Sequence, residues 1–293
     1  MENPETTLYF VGLSKNCFEN TKRNLDFLVQ FKENTNFDIK IIVVDSDSED
    51  GTKEYCKELL SEKKIQDFKE EDNLTNRYLS RISRIAYCRN IGLNTIERTY
   101  TKPSIYIPMD FDLNLFEFMS KEKFIKLLNF FNESSDADAI FPFSYPYYYD
   151  IFALRKEGWV EESSLLRSIK LKRKLKFGSF IFNYIYIFRK QYKPDNFNED
   201  LIKVECAFGG MGIYKITSPE QLENTYQSEN NDEELYTEHL SFNSQFESLY
   251  IKRDWLIEAP LQHIRFKSFN LLQKALYILK TFKYDIQKLI IKN

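Results

Sequence analysis

The first half of the chain alternates short apolar runs with segments whose apolar residues recur at helical spacing. Runs at 7–13, 39–44 and 104–109 predict strands, and segments 18–31, 53–61 and 84–96 predict helices. The run at 39–44 is a continuous stretch of isoleucine, lysine and valine, which is typical of a strand covered on both faces of a parallel sheet. This alternation of strands and helices predicts an α/β fold.

Acidic residues follow two of the predicted strands. Asp45 and Asp47 come after the second strand, and Asp110 and Asp112 end the third. Ligands of open α/β sheets gather at the carboxyl ends of strands. Because side chains alternate along a strand, Asp110 and Asp112 share a face if the strand continues, and together they suit Mg²⁺ or Mn²⁺. The alternatives are a solvated strand end and, for residues 45–52, a turn that caps the next helix.

Composition narrows the class of protein. Of 293 residues 43% are apolar and 16% aromatic, which is enough for a substantial core. A net charge of −3 argues against a nucleic-acid partner. Cys17, Cys56, Cys88 and Cys206 lie far apart and are predicted to be reduced thiols in a cytoplasmic protein. Neither a secretory signal nor an uninterrupted transmembrane stretch is recognisable.

The order of three segments resembles the nucleotide-sugar-dependent glycosyltransferases of the GT-A fold. The segments are Asp45-Ser-Asp-Ser-Glu-Asp-Gly-Thr52, Ala86-Tyr-Cys-Arg89-Asn90-Ile-Gly92 and Met109-Asp110-Phe111-Asp112. The resemblance implies a Rossmann-like, mixed and mainly parallel central sheet flanked by helices. It also implies a divalent cation, Mn²⁺ or Mg²⁺, and a nucleoside-diphosphate sugar as donor.

The resemblance assigns roles to residues in the first half. It places Asp45 at the nucleotide base, with Asp47 as a second candidate, and it places Arg84 and Arg89 beside the nucleotide. It also implies that Asp110 and Asp112 bind the metal through which the diphosphate is held, chiefly through Asp112.

Segments 141–155, 207–215 and 237–243 are similar to a narrower branch, which includes the fungal capsule-associated mannosyltransferases and related microbial and viral enzymes. Gly209 and Gly210 predict either a loop under the donor sugar and acceptor or an ordinary tight turn. The resemblance also implies a further metal ligand, because some GT-A enzymes use a C-terminal histidine in this way. His263 is the candidate here, with an ordinary histidine in a strand or loop as the alternative.

The pair Glu238 and His239 lies where inverting members of the fold often carry two acidic residues. Either residue can be the general base. Glu238 is preferred because a carboxylate is unprotonated at neutral pH, and a helix start at this position would supply N–H groups that keep it ionised. Whether the reaction inverts or retains configuration stays open.

The C-terminal residues 267–293 contain six lysines and one aspartate among leucine, isoleucine and phenylalanine. This composition predicts an amphipathic helix that lies on an anionic membrane surface, at the inner face, or that packs on its own catalytic domain with lysines facing water. The predicted division is a GT-A domain over 1–265, with a nucleotide-binding half 1–115 and an acceptor-binding half 116–265, followed by a basic helix at 266–293. The oligomeric state is left open.

Together these features predict a metal-dependent glycosyltransferase. A UDP-sugar is the favoured donor and GDP-mannose the rival, and the acceptor is a hydroxyl of a glycan or of a lipid-linked molecule. One alternative is a nucleotidyltransferase, which would usually have a glycine-rich phosphate loop after the first strand, where this chain has only Gly12. The other is a carbohydrate-binding protein without catalytic activity.

Overall fold

A computed structural model describes residues 6–134, 136–161, 164–175, 179–192, 197–223, 226–227 and 237–291. Within these ranges the strands are β1 (Thr7–Ser14), β2 (Asp38–Ser46), β3 (Asp67–Glu71), β4 (Ser104–Asp110), β5 (Ala139–Tyr145), β6 (Leu201–Val204), β7 (Ile213–Ile216) and β8 (Leu249–Glu258). The helices are α1 (Phe18–Glu33), α2 (Thr52–Ser61), α3 (Leu74–Arg77), α4 (Arg81–Glu97), α5 (Lys121–Glu133), α6 (Ser164–Leu175), α7 (Ser179–Asn183), α8 (Glu220–Glu223), α9 (His239–Asn243), α10 (Leu261–Ser268) and α11 (Leu271–Ile291). A π-helical turn (Tyr184–Phe188) and a 3₁₀ turn (Arg189–Gln191) follow α7.

The strands of the described residues form one sheet in the order β3-β2-β1-β4-β7-β5-β8-β6. β1 is parallel to both β2 and β4, β2 is parallel to β3, and β5 is parallel to β8. β7 runs antiparallel to β4 and β5, and β6 runs antiparallel to β8. The fold is therefore a mixed, mainly parallel sheet flanked by helices, as the sequence predicts.

Both faces of the sheet are covered, because alternate residues of its strands enter two separate layers of core. Phe10, Ile41 and Ile107 belong to the layer that contains side chains of α1, α2 and α5. Val11 and Tyr106 belong to the other layer, with side chains of α4, α8 and α9. This double burial explains why strands such as β1 and β4 are almost continuously apolar.

The path of the chain creates a crevice beside β1. From β1 the chain proceeds through α1 to β2 and then β3 on one side, and it returns through α4 to place β4 on the other side of β1. The carboxyl ends of β1 and β4 therefore flank the point where the direction of the strand order reverses. In open α/β sheets this is the usual position of a ligand.

Boundaries differ from the sequence prediction at two helices. α4 begins at Arg81, three residues before the predicted start, and its N-terminal flanking residue Ser80 has extended backbone angles. The predicted C-terminal helix is divided between the end of α10 and α11, and residues 292–293 lie outside the described part of the chain. The stretch 228–234 is rich in asparagine and acidic residues, a composition that predicts an exposed loop, and it also lies outside the described part of the chain.

Two predictions about the whole chain can be compared with the structure. All four cysteines are free, and burial raises the pKa of the Cys56, Cys88 and Cys206 thiols to about 12. Such thiols are inert at neutral pH, in keeping with reduced core residues. Across the described ranges, every helix is too short or too polar to cross a membrane.

We expect the substitution Gly92→Ala to destabilise the fold, because Gly92 is a point of close contact between α4 and β1. A Cβ atom at this position would lie 2.4 Å from Val11 Cγ1. Replacing glycine by alanine inside a helix normally stabilises by up to about 1 kcal/mol. Overpacking of a core costs about 1–3 kcal/mol, so the urea midpoint should fall. The exposed Asn94→Ala on the same helix should raise the midpoint slightly, and an equal rise for both variants would contradict the expectation.

Candidate functional site

A cavity of about 380 Å³ opens at the carboxyl ends of β1, β2 and β4, beside the first half of α4. Its walls consist of Leu13, Ser14, Lys15, Val44, Ser46, Arg81, Arg84, Ile85, Cys88, Asp110 and Asp112. The volume falls within the range of small-molecule sites, about 300–1,000 Å³. The residues from α4 recur at helical spacing, so one face of this helix forms one wall of the cavity.

The two carboxylates of the predicted metal site line this cavity together because Phe111, which lies between them, turns into the core. Phe111 is fully buried, and a Cβ atom on Gly12 would lie 2.1 Å from its ring. Only glycine leaves room for this ring at the end of β1. Asp110 and Asp112 are consequently directed to the opposite side, which agrees with the alternation expected from the sequence.

Three hydrogen bonds hold the backbone of this acidic segment. The Phe111 N–H group donates to Leu13 O at 2.9 Å, and the Asp110 N–H group donates to Gly210 O at 2.8 Å. From α1, Asn20 Nδ2 donates to Asp112 O at 2.7 Å. The segment is therefore fixed between β1, α1 and the loop before β7, although β4 itself ends at Asp110.

Cationic side chains line the same cavity. Arg81 and Arg84 project from the start of α4, and Lys15 follows β1. Arg84 Nη1 donates to Tyr78 O at 2.7 Å, which orients its guanidinium. Of these three residues, only Arg84 is among the predicted site residues. Sequence reasoning misses Arg81 because it predicts the helix to start at Arg84, and it misses Lys15 because it interprets that residue as the polar end of a strand.

The predicted base-binding residue Asp45 lies outside the walls of the cavity. Its carboxylate is fully buried and accepts hydrogen bonds from Ser14 Oγ at 2.8 Å and from Ser48 Oγ at 2.6 Å. Asp45, near the end of β2, thus joins the last residue of β1 to the loop that follows β2. Asp47 has a left-handed backbone with φ of 57°, and its carboxylate lies 3.4 Å from Lys15 Nζ. A direct contact of either residue with a nucleotide base stays a prediction.

Arg89 connects the two halves of the predicted site. Its guanidinium is 2% exposed and donates from Nε to Glu238 Oε1 and from Nη2 to Asp110 Oδ1, both at 2.8 Å. It also lies over the Phe208 ring, 4.5 Å from the centroid. The sequence places Arg89 beside the nucleotide, whereas the structure buries it behind Asp110 and leaves it out of the cavity walls.

Glu238 and His239 are both buried. His239 Nε2 lies 3.2 Å from Glu238 Oε1, and the imidazole stacks on Phe208 with ring centroids 3.8 Å apart. Burial alone would raise the pKa of Glu238, but His239 and Arg89 outweigh this effect and hold it well below its usual range. The sequence analysis expected N–H groups of a helix start to keep Glu238 ionised. This was wrong, because the Glu238 side chain makes no capping hydrogen bond at the start of α9.

The low pKa of Glu238 bears on its predicted role. A general base works best when its pKa lies near the operating pH, and a carboxylate held ionised by an arginine is a weak proton acceptor. In this conformation the ion pair gives Glu238 the properties of a positioning residue. Within the described residues, His239 Nδ1 and Arg89 Nη1 are buried without a hydrogen-bond partner, so this region can gain from a polar ligand.

Gly209 and Gly210 form a turn against the acidic segment. Both have left-handed backbones, with φ of 69° and 88°. The Gly209 N–H group donates to Asp150 Oδ2 at 2.8 Å, and a Cβ atom on Gly210 would lie 2.2 Å from Leu113 Cδ1. A side chain at either position would be strained. The glycines therefore allow the loop to approach Asp110 closely, and their contact with a sugar stays a prediction.

His263 projects from α10, and its ring lies 5.4 Å from the ring of Tyr149. Partial burial lowers its pKa, against the opposing influence of Asp150 and Asp110. The neutral imidazole that results is the form that binds metals. However, the described residues contain no group of three or more His, Cys, Asp or Glu side chains arranged to hold a metal ion. The predicted set of Asp110, Asp112 and His263 is therefore not assembled as a three-ligand site in this conformation.

Asp110 and Asp112 alone provide a partial fit for a divalent cation. Desolvation by the surrounding protein and the neighbouring Asp110 carboxylate raise the pKa of Asp112 to about 6. Two carboxylates that disfavour each other's charge in this way gain from a shared cation. Their oxygen atoms are also the ligand type that Mn²⁺ and Mg²⁺ accept.

A second cavity of about 360 Å³ adjoins the other side of Asp112. It is lined by Asn20, Arg23, Asp112, Leu113, Asn114, Glu258, Ala259, Pro260, Leu261 and Gln262. Most of these side chains are polar. Asp112 thus lies between two cavities, one at the sheet edge and one at the junction of β8 and α10.

Comparison with known proteins gives structural neighbours only. Neither a protein-family model nor a curated protein sequence matches the chain. Similar solved structures include the mannosyltransferase PcManGT from Pyrobaculum calidifontis in complex with GDP-Man and Mn²⁺, with 12% identity over 88% of this chain and 59% of that chain and a TM-score of 0.46. S. aureus TarS 1-349 is 11% identical over 89% of this chain and 63% of that chain, with a TM-score of 0.45. Mannosyl-3-phosphoglycerate synthase from Rubrobacter xylanophilus is 13% identical over 98% of this chain and 73% of that chain, with a TM-score of 0.41.

These neighbours are GT-A-type glycosyltransferases. The chain spans about three fifths of the length of the first two. Their similarity to this chain is too low to transfer a donor, an acceptor or a role for any residue.

Without metal, we expect Asp112→Asn to stabilise the protein more at neutral than at acidic pH. The raised pKa means that folded Asp112 keeps its proton up to about pH 6, whereas the unfolded chain loses it near pH 4. The free energy of unfolding of the wild type therefore decreases as the pH rises from about 4 to about 6, and it stays lower at higher pH. Asparagine has no proton to lose and avoids this decrease. Urea unfolding in EDTA across this range measures the difference. The exposed Glu49→Gln serves as control and should parallel the wild type.

Removing the buried arginine should cost far more than removing a surface charge. Arg89→Met leaves Glu238 buried without its arginine partner, a change that costs about 3–5 kcal/mol. Because the two residues interact, Arg89→Met with Glu238→Gln should cost less than the sum of the single changes. Strict additivity of the unfolding free energies, measured in urea, would disprove the coupling.

The depressed pKa of Glu238 stabilises the fold above about pH 4.3, and this contribution is lost as the pH falls. The free energy of unfolding of Glu238→Gln should therefore fall less at acidic pH than that of the wild type.

Proposed function

We propose that the chain is a metal-dependent glycosyltransferase. It transfers a sugar from a nucleoside-diphosphate sugar to a hydroxyl group of a glycan or a lipid-linked acceptor, with a UDP-sugar as the favoured donor and GDP-mannose as the rival. The observation that carries the proposal is the cavity between β1 and β4, which combines Asp110 and Asp112 with Lys15, Arg81 and Arg84.

The charges in this cavity suit a diphosphate. Guanidinium groups bind phosphate oxygens through two donors at once, and Arg81 and Arg84 line the cavity from the first turns of α4. The start of a helix adds partial positive charge. On the opposite wall, Asp110 and Asp112 would repel a bare diphosphate, so they favour a complex in which a cation accompanies it.

Asp110 and Asp112 would hold the cation, with His263 as a further candidate ligand. When bound, the cation supplies Lewis-acid assistance to the leaving diphosphate. Arg89 neutralises part of the Asp110 charge from behind, through its 2.8 Å hydrogen bond to Oδ1. Asp112 has no such partner among the ion pairs of the described residues, and we infer that it is the principal ligand.

The acceptor would enter from the side of the second cavity, next to Asp112. Its polar walls, with Asn20, Asn114 and Gln262, can donate and accept hydrogen bonds to hydroxyl groups. Glu238 remains our candidate for the base if the reaction inverts configuration, but its ion pair with Arg89 must loosen before it can accept a proton. If the reaction retains configuration, Glu238 positions Arg89 and His239.

The nucleotidyltransferase alternative receives less support. The loop after β1 contains Lys15 and Asn16 and lacks further glycines. Gly12, the glycine nearest to it, accommodates the ring of Phe111, so its lack of a side chain serves core packing. A glycine-rich phosphate cradle therefore has no counterpart here.

We expect one nucleoside diphosphate, or its sugar conjugate, to raise the melting temperature with Mn²⁺ and to lose this effect in EDTA. UDP, GDP and CDP and their sugar conjugates form the panel. A ligand at a hundred times its Kd stabilises the folded state by about 2.7 kcal/mol. Asp112→Ala should abolish the metal dependence, and Arg84→Ala should weaken binding of every diphosphate.

Arg98→Ala, at the exposed far end of α4, is the matched control and should bind like the wild type. A shift that survives both Asp112→Ala and Arg84→Ala would place the ligand elsewhere. Nucleoside triphosphates and sugar phosphates are tested beside this panel; a shift with them, but with no diphosphate sugar, would favour the nucleotidyltransferase. Release of the nucleoside diphosphate from the bound donor then tests turnover.

A further inference from the structure

The C-terminal helix α11 exposes its apolar residues and packs through its more polar face. Leu271 is 90%, Leu272 is 69% and Leu279 is 65% exposed, and Leu276 and Phe282 are also exposed. At 100° per residue these side chains occupy one continuous arc of the helix. The helix thus contacts its own domain and exposes Lys280 and Lys283, as in one of the two sequence alternatives, but it exposes these apolar side chains as well.

The opposite face of α11 contacts the rest of the protein through Tyr277. The ring of Tyr277 lies 6.3 Å from the ring of Phe180, 6.2 Å from that of Phe188 and 6.0 Å from that of Phe269. These contacts fix the rotation of α11 about its axis. The apolar arc consequently points away from the domain.

The neighbouring segment also exposes apolar side chains. Ile181, Tyr184 and Ile185 lie in α7 and the π-helical turn, which contact α11, and they are 54%, 48% and 39% exposed. We name the exposed arc of α11 the apolar face. An apolar helix face that is exposed to solvent marks an interaction site.

Lysines accompany the apolar face. Lys280 and Lys283 are exposed; at 100° per residue Lys280 lies just beyond the edge of the arc, and Lys283 lies within it beside Leu276. Residues 266–293 contain six lysines and one aspartate. α6, which contacts α7, adds the exposed Lys170 and Lys174 and contains no acidic residue.

We propose that the apolar face binds the surface of an anionic lipid membrane, with the leucines of α11 in the interface and the lysines at the headgroups. Long lysine side chains beside and within such a face can carry their ammonium groups to the headgroups while the leucines enter the interface. A second copy of the chain is a poorer occupant, because pairing two α11 helices would bring two lysine-rich segments together. The proposal is independent of the glycosyltransferase assignment.

Cosedimentation of the full chain with vesicles tests this proposal without any nucleotide. We expect binding to vesicles of phosphatidylcholine mixed with phosphatidylglycerol, little binding to phosphatidylcholine alone, and weaker binding as salt increases. Leu276→Glu with Leu279→Glu should weaken binding at least about tenfold. Lys280→Glu with Lys283→Glu should also weaken it about tenfold or more.

Matched controls are Leu60→Glu, an exposed leucine on α2, and Lys203→Glu, an exposed lysine on β6, which should bind like the wild type. Equal losses in the controls, or equal binding to neutral and anionic vesicles, would overturn the proposal. The proposal would also be overturned if the wild type failed to bind vesicles and light scattering showed a dimer that Leu276→Glu with Leu279→Glu dissociates. Since no donor is present, failure here leaves the nucleotide-binding result unaffected.

Discussion

The buried guanidinium of Arg89 is the interaction on which the candidate site depends. It joins Asp110, at the end of β4, to Glu238, at the start of α9, with both hydrogen bonds at 2.8 Å. A buried charge is tolerated only when it is paired. The position of α9 against the sheet and the position of Asp110 in the cavity wall are therefore linked through one side chain.

This link makes the two aspartates of the acidic segment unequal. Asp110 already shares its charge with Arg89, whereas the pKa of Asp112 is raised to about 6 by desolvation and by Asp110. A cation that enters the cavity relieves more unfavourable charge at Asp112 than at Asp110. Two identical residues two positions apart thus have different electrostatic surroundings.

Hydrophobic periodicity was sufficient to predict β1, β2 and β4, helices α1 and α2, most of α4, and the edge of the sheet where Asp110 and Asp112 lie. It could not predict the ion pair between Arg89 and Glu238, because the two residues are 149 positions apart and periodicity does not specify such a contact. Helix boundaries are also weakly encoded, which is why Arg81 was missed. Asp45 shows a third limit, since an acidic residue at a strand end can equally hold a loop or a ligand.

The orientation of α11 illustrates the same limit at the surface. Its sequence defines an apolar face and lysines, but either face can pack on the domain, and the aromatic contacts of Tyr277 decide between them. The whole chain carries a net charge of −3 although residues 266–293 are strongly basic, so the remainder is more negative than the total. Because screening confines such fields to about 8–10 Å, the basic surface and the acidic remainder act separately. An anionic surface would therefore attract the protein by the side that carries α11.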